Sequence, residues 1–359
     1  MKAEITKYYS GLMYNELDQF LVQLSDASPE EQSLFTQQLK KYNLHLLFYK
    51  ALMAGGGMAI DRKIVEQLET DYRNEVLHNE IHISFLKKLL QNYSDILILK
   101  GIINQSVLGL GVYKKSVDID VIVPPSLLPE LIRFLHTQGF KKRKRYFAYG
   151  QAAFESPLIN LDLHTILIVK AGLDNIFKLN KVKFHAPSAR QVILYRGLAL
   201  PCLSLDFQFM HLCLHFILHH HFADPLLLYE IMVFINKHAN KIDIEFLINF
   251  CEQAQILPLI AAVVFYITQI MPSCKCSLTD HILDYDIKCK RKLERIFSGA
   301  TINDLFIANT YKKKLIRDLV LNTTDNRISY LSGLLRFNYN TINWFVGNTL
   351  FAKEKILAQ

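Results

Sequence analysis

Residues 117–123 read Val117-Asp118-Ile119-Asp120-Val121-Ile122-Val123, and Pro124-Pro125 follows directly. Branched apolar side chains alternate with carboxylates, which predicts a strand with one face in the core. Alternate residues of a strand share a face, so Asp118 and Asp120 project together from the opposite face. Their like charges repel and lose hydration there, and a bound divalent cation relieves both effects. The stretch therefore predicts a strand that binds metal.

A third carboxylate follows in a second predicted strand, where residues 160–165 read Asn-Leu-Asp-Leu-His-Thr. Asp162 has leucine on both sides, so its side chain is expected to face away from the core, with His164 on the same face. Three carboxylates suit Mg²⁺, and two such ions about 4 Å apart clamp the attacking and leaving oxygens in phosphoryl transfer. Asp162 is the predicted third metal ligand, and His164 is expected to hydrogen-bond within the same site.

The period of the apolar residues changes twice along the chain. It is three to four residues, as in helices, before residue 95 and again after residue 185, most clearly after Ser204. Between these limits short apolar and alternating runs predict strands at 96–99, 117–123, 140–148, 152–155 and 159–166. The sequence therefore predicts an N-terminal helical region at 1–94, an α/β core at 95–184 and a C-terminal helical domain at 185–359.

Composition excludes several classes of protein. A chain of 359 residues with 51% hydrophobic and 21% charged residues is not disordered. The longest apolar run, 256–271, contains Pro258 and is interpreted as a buried helix, so no membrane association is expected. Six cysteines form no Cys-x-x-Cys pair, and no apolar signal region opens the chain, which together favour the cytoplasm.

Several short sequence segments are not specific singly but together match the pattern of a known family. The first group is Leu99-Lys100-Gly101, Lys114 through Val123, Gly139-Phe140, Asp162-Leu163-His164, Leu203-Ser204 and His211-Leu212-Cys213-Leu214-His215. Upstream, Asn43 through Tyr49 and Arg73-Asn74 extend the match. Over residues 40–255 the chain resembles the uncharacterised nucleotidyltransferase family of the DNA polymerase β superfamily. The resemblance implies a polymerase β-like α/β core with a mixed sheet, flanked by helical regions.

The resemblance also implies a reaction, the Mg²⁺-dependent transfer of a nucleoside monophosphate from an NTP such as ATP to an acceptor hydroxyl, with release of pyrophosphate. Asp118 and Asp120 would bind the ion that carries the nucleotide. Asp162 would complete a second ion site and help orient or deprotonate the acceptor. Two Mg²⁺ ions are expected, with Mn²⁺ as an alternative.

Four further residues are implied to contact the nucleotide. Gly101 would form the turn at which backbone N–H groups approach the triphosphate. Lys100 and Lys114 would meet phosphate oxygens, although a solvated lysine is an equal alternative for each. His164 completes this nucleotide-binding set.

Two other functions stay open. Gly101-Ile102 stands where a Gly-Ser pair is common in the superfamily, and Glu230 replaces an aspartate usual in the C-terminal helix. A degenerate protein that binds nucleotide or supports assembly is therefore one alternative. An enzyme acting on RNA ends is the other.

The acceptor is expected to be a small molecule, a peptide or a protein. The basic run 141–145 could attract nucleic acid, but no nucleic-acid-binding module accompanies it, and its neighbouring aromatic residues form one local cluster. A solvated strand is the favoured interpretation of this run.

Three histidines, His211, His215 and His219, repeat at intervals of four and share one face of a predicted helix. A zinc site is one interpretation. Because His219 lies two turns from His211, all three cannot chelate one ion. Packing and hydrogen bonding beside the cleft are therefore expected.

Overall fold

The computed structural model describes residues 21–22, 24–54, 60–148, 151–167 and 186–285, with residues 291, 293, 294 and 297 beyond them. The side chains of residues 144–148 lie outside this description. Expectations for the other residues, including all those after Phe297, fall outside it as well.

The helices α1 (Pro29–Lys41), α2 (His45–Ala54) and α3 (Arg62–Asn92) lie between residue 29 and the sheet. Helix α1 begins with a capping box, in which the Ser28 hydroxyl accepts from the Glu31 N–H and the Glu31 carboxylate accepts from the Ser28 N–H. Helix α3 is 31 residues long and starts at the cap Asp61. The periodicity of residues 61–92 predicted this helix.

The described strands form one seven-stranded sheet in the order β3-β4-β5-β2-β1-β7-β6. The strands β2 and β5 are parallel, as are β1 and β7, and every other neighbouring pair is antiparallel. The mixed α/β fold expected from the sequence is thus present. The strand bounds are β1 (Leu97–Leu99), β2 (Ile119–Ile122), β3 (Lys141–Ala148), β4 (Gln151–Glu155), β5 (Asn160–His164), β6 (Arg190–Tyr195) and β7 (Leu198–Leu203).

The strands β6 and β7 correct the expectation that the chain is helical from residue 185 onward. Residues 191–195 read Gln-Val-Ile-Leu-Tyr, which favours a strand, and Arg196-Gly197 forms a two-residue turn with φ values of 48° and 79°. The sheet therefore continues past residue 184, and helix begins at Leu205. The division at 94 and 184 into three regions stays a prediction.

Helices cover both faces of the sheet. The short helix α4 (Ile102–Val107) follows β1, and α5 (Leu128–Thr137) follows β2. The C-terminal helices are α6 (Leu205–Leu218), α7 (Pro225–His238), α8 (Ile244–Gln253), α9 (Leu257–Ile270) and α10 (Ser277–Tyr285). Helix α9 is almost entirely buried, as expected from its apolar run. Within the described ranges, every helix is too short or too polar to cross a membrane.

Alternation along the strands divides the apolar side chains between two cores. Ile98, Ile119 and Val121 belong to the core shared with α5 and the end of α3. Leu99 and Ile122 belong to the larger core built mainly from the N-terminal and C-terminal helices. Asp120 lies two residues before Ile122 and shares its face. The carboxylates of β2 and β5 are therefore on the side of the sheet that faces these helices.

Candidate active site

The turn after β1 has an unusual backbone. Lys100 and Gly101 both have a φ of 44°, in the region that favours glycine, and Gly101 is the N-cap of α4. A Cβ added at Gly101 would lie 3.9 Å from the Ser116 hydroxyl, so space is not the constraint. Backbone conformation explains the glycine, and its predicted contact with a triphosphate stays a prediction.

The two predicted acidic strands are adjacent and parallel. Their register pairs Asp120 with Asp162 and Ile122 with His164. Asp120 is buried, whereas Asp118 is half-buried and lies just before β2, which begins at Ile119. The structure thus brings Asp120, Asp162 and His164 onto one face, with Asp118 at the edge of that group.

Two cationic or basic side chains contact Asp120. Its Oδ1 lies 2.9 Å from His164 Nε2 and 3.4 Å from the Lys100 Nζ. Burial acts to raise the pKa of Asp120, but Lys100 and His164 outweigh it and hold this pKa below the usual aspartate range. Asp120 is therefore an ionised carboxylate with the Lys100 ammonium beside it, and the expected contact of Lys100 with phosphate oxygens stays a prediction.

Asp162 has fewer partners than Asp120. Gln151 Nε2 donates to its Oδ2 at 3.3 Å, while its Oδ1 is buried without a hydrogen-bond partner in the described structure. Burial and the charge of Asp120 raise the pKa of Asp162. Burial, Asp120 and Asp162 likewise raise the pKa of Asp118 to about 6. The crowding of negative charge anticipated from the sequence is present.

These side chains could hold a metal ion. One ligand atom from each of Asp120, Asp162 and His164 lies within 4.8 Å of the others, and Asp118 does not belong to this group. The carboxylate oxygens suit Mg²⁺, and the unpartnered Oδ1 of Asp162 has lone pairs for a cation. The residues therefore fit a divalent ion, although one of the three donors is an imidazole nitrogen.

A cleft of about 280 Å³ opens beside the carboxylates. Asp162 and His164 do not line it. The other five predicted site residues line it, together with side chains of the C-terminal helices. Its lining residues include Asn43, Lys100, Gly101, Lys114, Asp118, Asp120, His211, Leu212, His215, His220, Asp224, Leu226, Leu227 and Glu230.

Lys114 is held by a buried carboxylate at the wall of this cleft. Glu230 of α7 is 1% exposed, and its Oε1 accepts from Lys114 Nζ and, at 2.6 Å, from the Tyr113 hydroxyl. Its Oε2 accepts from Asn104 Nδ2 at 2.7 Å. The sequence marked Glu230 only as a departure from the family pattern, and its three donors, 116 to 126 residues away, could not be inferred.

The loop before Asp118 is fixed from the N-terminal helices. Lys115 N–H donates to Asn43 Oδ1 at 3.1 Å, and Asn43 Nδ2 lies 3.5 Å from the Lys115 carbonyl. Ser116 N–H donates to the buried Glu75 carboxylate at 2.6 Å. Sequence reasoning missed both contacts, although Asn43 and the residues beside Glu75 carried part of the family resemblance.

The histidine repeat lies where the sequence placed it, on α6 and directly after it. His211 and His215 line the cleft, and burial lowers the pKa of each well below the usual histidine value. His215 Nε2 lies 3.1 Å from His220 Nε2, and His220 Nδ1 lies 3.0 Å from Asp224 Oδ2. His211 is buried and its ring centroid lies 6.0 Å from that of His215, while His215 also hydrogen-bonds to His220. Neither His211 nor His215 belongs to a group of three metal-ligating atoms among the described residues.

The basic run 141–145 lies on β3 at the edge of the sheet. Lys141 is exposed, and the Arg143 guanidinium lies 3.3 Å from the Glu155 carboxylate on the neighbouring strand. The side chains of residues 144 and 145 lie outside the described residues. The expectation about nucleic acid stays a prediction.

Similarity to known proteins identifies the family of this chain. No functionally curated protein matches the chain. Among solved structures, the lincomycin-bound crystal structure of the lincosamide antibiotic adenylyltransferase LnuA matches with 15% identity and a TM-score of 0.28, covering 36% of this chain and 84% of that one. A likeness at this level carries no inference about the acceptor. The family model described as an uncharacterised nucleotidyltransferase matches residues 28–272, most of the chain, and the protein therefore belongs to that family.

Proposed function

We propose that this protein transfers a nucleoside monophosphate from an NTP to an acceptor hydroxyl and releases pyrophosphate, in a reaction that needs a divalent cation. The observation that carries the proposal is the pairing of Asp120 with Asp162 on adjacent parallel strands. Asp120 lines the cleft together with Lys100 and Gly101. Membership of a nucleotidyltransferase family supports the same chemistry.

The proposed roles of the site residues are to bind the metal ions and to position the triphosphate. Asp118, Asp120 and Asp162 would hold the ions, and two divalent ions are proposed, Mg²⁺ or Mn²⁺. When bound, such ions supply positive charge that stabilises the transferring phosphoryl group and the leaving pyrophosphate. Lys100, 3.4 Å from Asp120, adds a fixed positive charge on the same side. The Gly101 turn presents backbone N–H groups to the phosphates.

The acceptor would enter along the α6 and α7 wall of the cleft. His215, His220 and Asp224 make this wall polar, and Leu212, Leu226 and Leu227 add apolar surface. A volume of about 280 Å³ is at the lower end for ligand sites, so the part of the acceptor that enters must be compact. A small molecule, or one side chain of a peptide or protein, fits this requirement.

Pyrophosphate release from each NTP with Mg²⁺, measured across candidate acceptors, tests the proposal. Asp118→Ala and Asp120→Ala should each abolish release while the fold persists. Asp95→Asn is the matched control, because Asp95 is an exposed aspartate just before β1 and should leave release unchanged. Unchanged activity in either alanine variant would refute the role given to these carboxylates.

One observation favours a second candidate, a protein that binds nucleotide without turnover. Lys114, a proposed phosphate contact, is engaged by Glu230, which lowers the positive charge it offers to a triphosphate. Calorimetry with Mg²⁺ and each NTP separates the candidates. Binding that never leads to pyrophosphate release with any acceptor favours the second.

A further inference from the structure

We infer that His164 is a ligand of the metal centre, together with Asp120 and Asp162, and that this centre selects Mn²⁺ over Mg²⁺. The inference deepens the proposed function, because it concerns the same site and identifies its ion. It departs from the expectation that three carboxylates alone hold the metal and that His164 serves only as a hydrogen-bond partner.

The strand register places the three donors together. Asp120 pairs with Asp162 on parallel strands, and His164 follows Asp162 by two residues, so all three side chains share one face. One ligand atom from each lies within 4.8 Å of the other two. Asp118, which precedes β2, is outside this group. The compact donor set is therefore two carboxylates and one imidazole.

The spacing of Asp120 and His164 suits two ligands of one ion. Their nearest atoms, Oδ1 and Nε2, are 2.9 Å apart. Two ligands at right angles, each about 2.1 Å from an ion, are separated by about 3 Å. The pair can therefore exchange its shared proton for a shared cation with little movement.

Two unpartnered atoms in the group point to a missing ligand. Asp162 Oδ1 and His164 Nδ1 are both buried without a hydrogen-bond partner in the described structure, and His164 as a whole is 8% exposed. Buried polar atoms without partners are rare in native proteins. A cation near Asp162 Oδ1 gives that oxygen a partner. Rotation of the His164 imidazole allows either of its ring nitrogens to bind the same cation.

The donor chemistry decides which ion is preferred. Mg²⁺ takes oxygen ligands and gives up its water reluctantly, so an imidazole adds little to its binding. First-row transition cations accept imidazole nitrogen, and Mn²⁺ also suits carboxylate oxygens and water. A site with two carboxylates and one imidazole therefore favours Mn²⁺ over Mg²⁺.

Electron paramagnetic resonance of Mn²⁺ bound to the full-length protein, without NTP or acceptor, tests the inference directly. We expect Mn²⁺ to bind at least tenfold more tightly than Mg²⁺ in competition, and pulsed measurements to show coupling to a directly bound nitrogen. His164→Gln should weaken Mn²⁺ binding at least tenfold and abolish the nitrogen coupling, with less than a threefold effect on Mg²⁺.

His211→Gln is the matched control, because His211 is a buried histidine that lines the same cleft and interacts electrostatically with Asp120. This variant should retain the nitrogen coupling. Labelling all histidines with ¹⁵N changes the coupling in the unaltered protein, so the test stands even if a variant fails to fold.

Four outcomes overturn the inference: no Mn²⁺ binding, equal affinity for Mn²⁺ and Mg²⁺, no nitrogen coupling, or a coupling that persists in His164→Gln. Failure of the proposed function has a separate signature, since it is the absence of pyrophosphate release with every NTP and acceptor. A protein that binds Mn²⁺ through His164 but releases no pyrophosphate loses the proposed function and keeps this metal site.

Discussion

Glu230 and Asp162 are both acids held inside the protein beside the cleft, but their surroundings satisfy them to different degrees. Glu230 receives donors from Asn104, Tyr113 and Lys114. Asp162 receives one donor from Gln151, and its other oxygen receives none among the described residues. The first arrangement connects α7 to the loop and helix that follow β1. The second leaves lone pairs for a ligand that the fold itself does not supply.

The difference shows how a buried charge can indicate either stability or function. A carboxylate with its donors in place acts as a structural link, and removing it leaves those donors unpaired. A carboxylate near two others, with an unpartnered oxygen, is repelled by them until a cation binds or one of the charges is removed. Removing the charge of Glu230 should therefore lower the free energy of unfolding, whereas removing one charge from the group Asp118, Asp120 and Asp162 should raise it.

The largest change in stability is expected on mutation of Glu230. Glu230→Ala leaves the ammonium of Lys114, the hydroxyl of Tyr113 and the amide of Asn104 without their common acceptor. We expect the free energy of unfolding to fall by about 3–5 kcal/mol, measured by urea denaturation. Glu66→Ala is the control, since it removes only an exposed partner of Arg62 and should cost less than about 1 kcal/mol. A loss at Glu230 no greater than at Glu66 would show that the group is not a structural link.

His82 is a buried histidine whose Nε2 has no hydrogen-bond partner among the described residues, and it should make stability depend on pH. His82 on α3 is 1% exposed, and burial, then the neighbouring His78, lowers its pKa to about 4. In the unfolded protein the pKa of His82 is near 6.5, so between pH 6.5 and pH 4 the unfolded protein binds more protons at His82 than the folded protein does. The stability that the neutral His82 contributes is therefore complete above pH 6.5 and is lost as the pH falls toward 4. The total loss is about 3 kcal/mol.

Urea denaturation of the wild type and of His82→Phe between pH 7.5 and pH 4.5 measures this effect. The difference in unfolding free energy between the two proteins should move in favour of the variant as the pH falls. His136→Gln, at an exposed histidine, should follow the wild-type curve. Parallel curves for the wild type and His82→Phe would contradict the prediction. His82 does not line the cleft, so its unmet nitrogen marks a cost in stability rather than a ligand site.

The carboxylates of the cleft should show the opposite sign from Glu230. Burial and the charges of Asp120 and Asp162 raise the pKa of Asp118 to about 6, so its ionised form is disfavoured in the folded protein. In chelator at pH 7.5, Asp118→Asn should raise the free energy of unfolding by about 1–2 kcal/mol. Added Mn²⁺ should stabilise the wild type more than the variant. A destabilised variant in chelator would show that Asp118 has a structural role instead.

The sequence predicted the acidic face better than its surroundings, for a physical reason. The alternation around Asp118, Asp120 and Asp162 is local, and it fixes which side chains leave the core once the strands form. The register of β2 against β5 then follows from pairing buried neighbours on one face. Contacts of Glu230 depend on how helices separated by more than a hundred residues pack, and no local pattern encodes them.

The strands β6 and β7 were missed although a local signal was present. Val192 and Leu194 are exposed on the edge strand, so apolar residues there lack the clear alternation of a half-buried strand. The turn residues Arg196 and Gly197 are the stronger indication, because a two-residue turn with positive φ joins antiparallel strands. The Arg196-Gly197 turn would have shown that the sheet extends past residue 184, where the hydrophobic periodicity placed its end.

The smallest expected effect tests whether the N-terminal helices position the cleft. Asn43 has a φ of 57°, which asparagine tolerates better than most residues, and its side chain pairs with the Lys115 backbone three residues before Asp118. Asn43→Ala removes this pair and should cost about 1 kcal/mol of stability. Because the freed loop must be ordered again when nucleotide binds, we expect Mg²⁺–NTP affinity, measured by calorimetry, to fall severalfold. Asn92→Ala, at an exposed asparagine of α3, should leave that affinity unchanged. Equal affinities for Asn43→Ala and the wild type would show that the sheet and α7 hold the loop without the N-terminal helices.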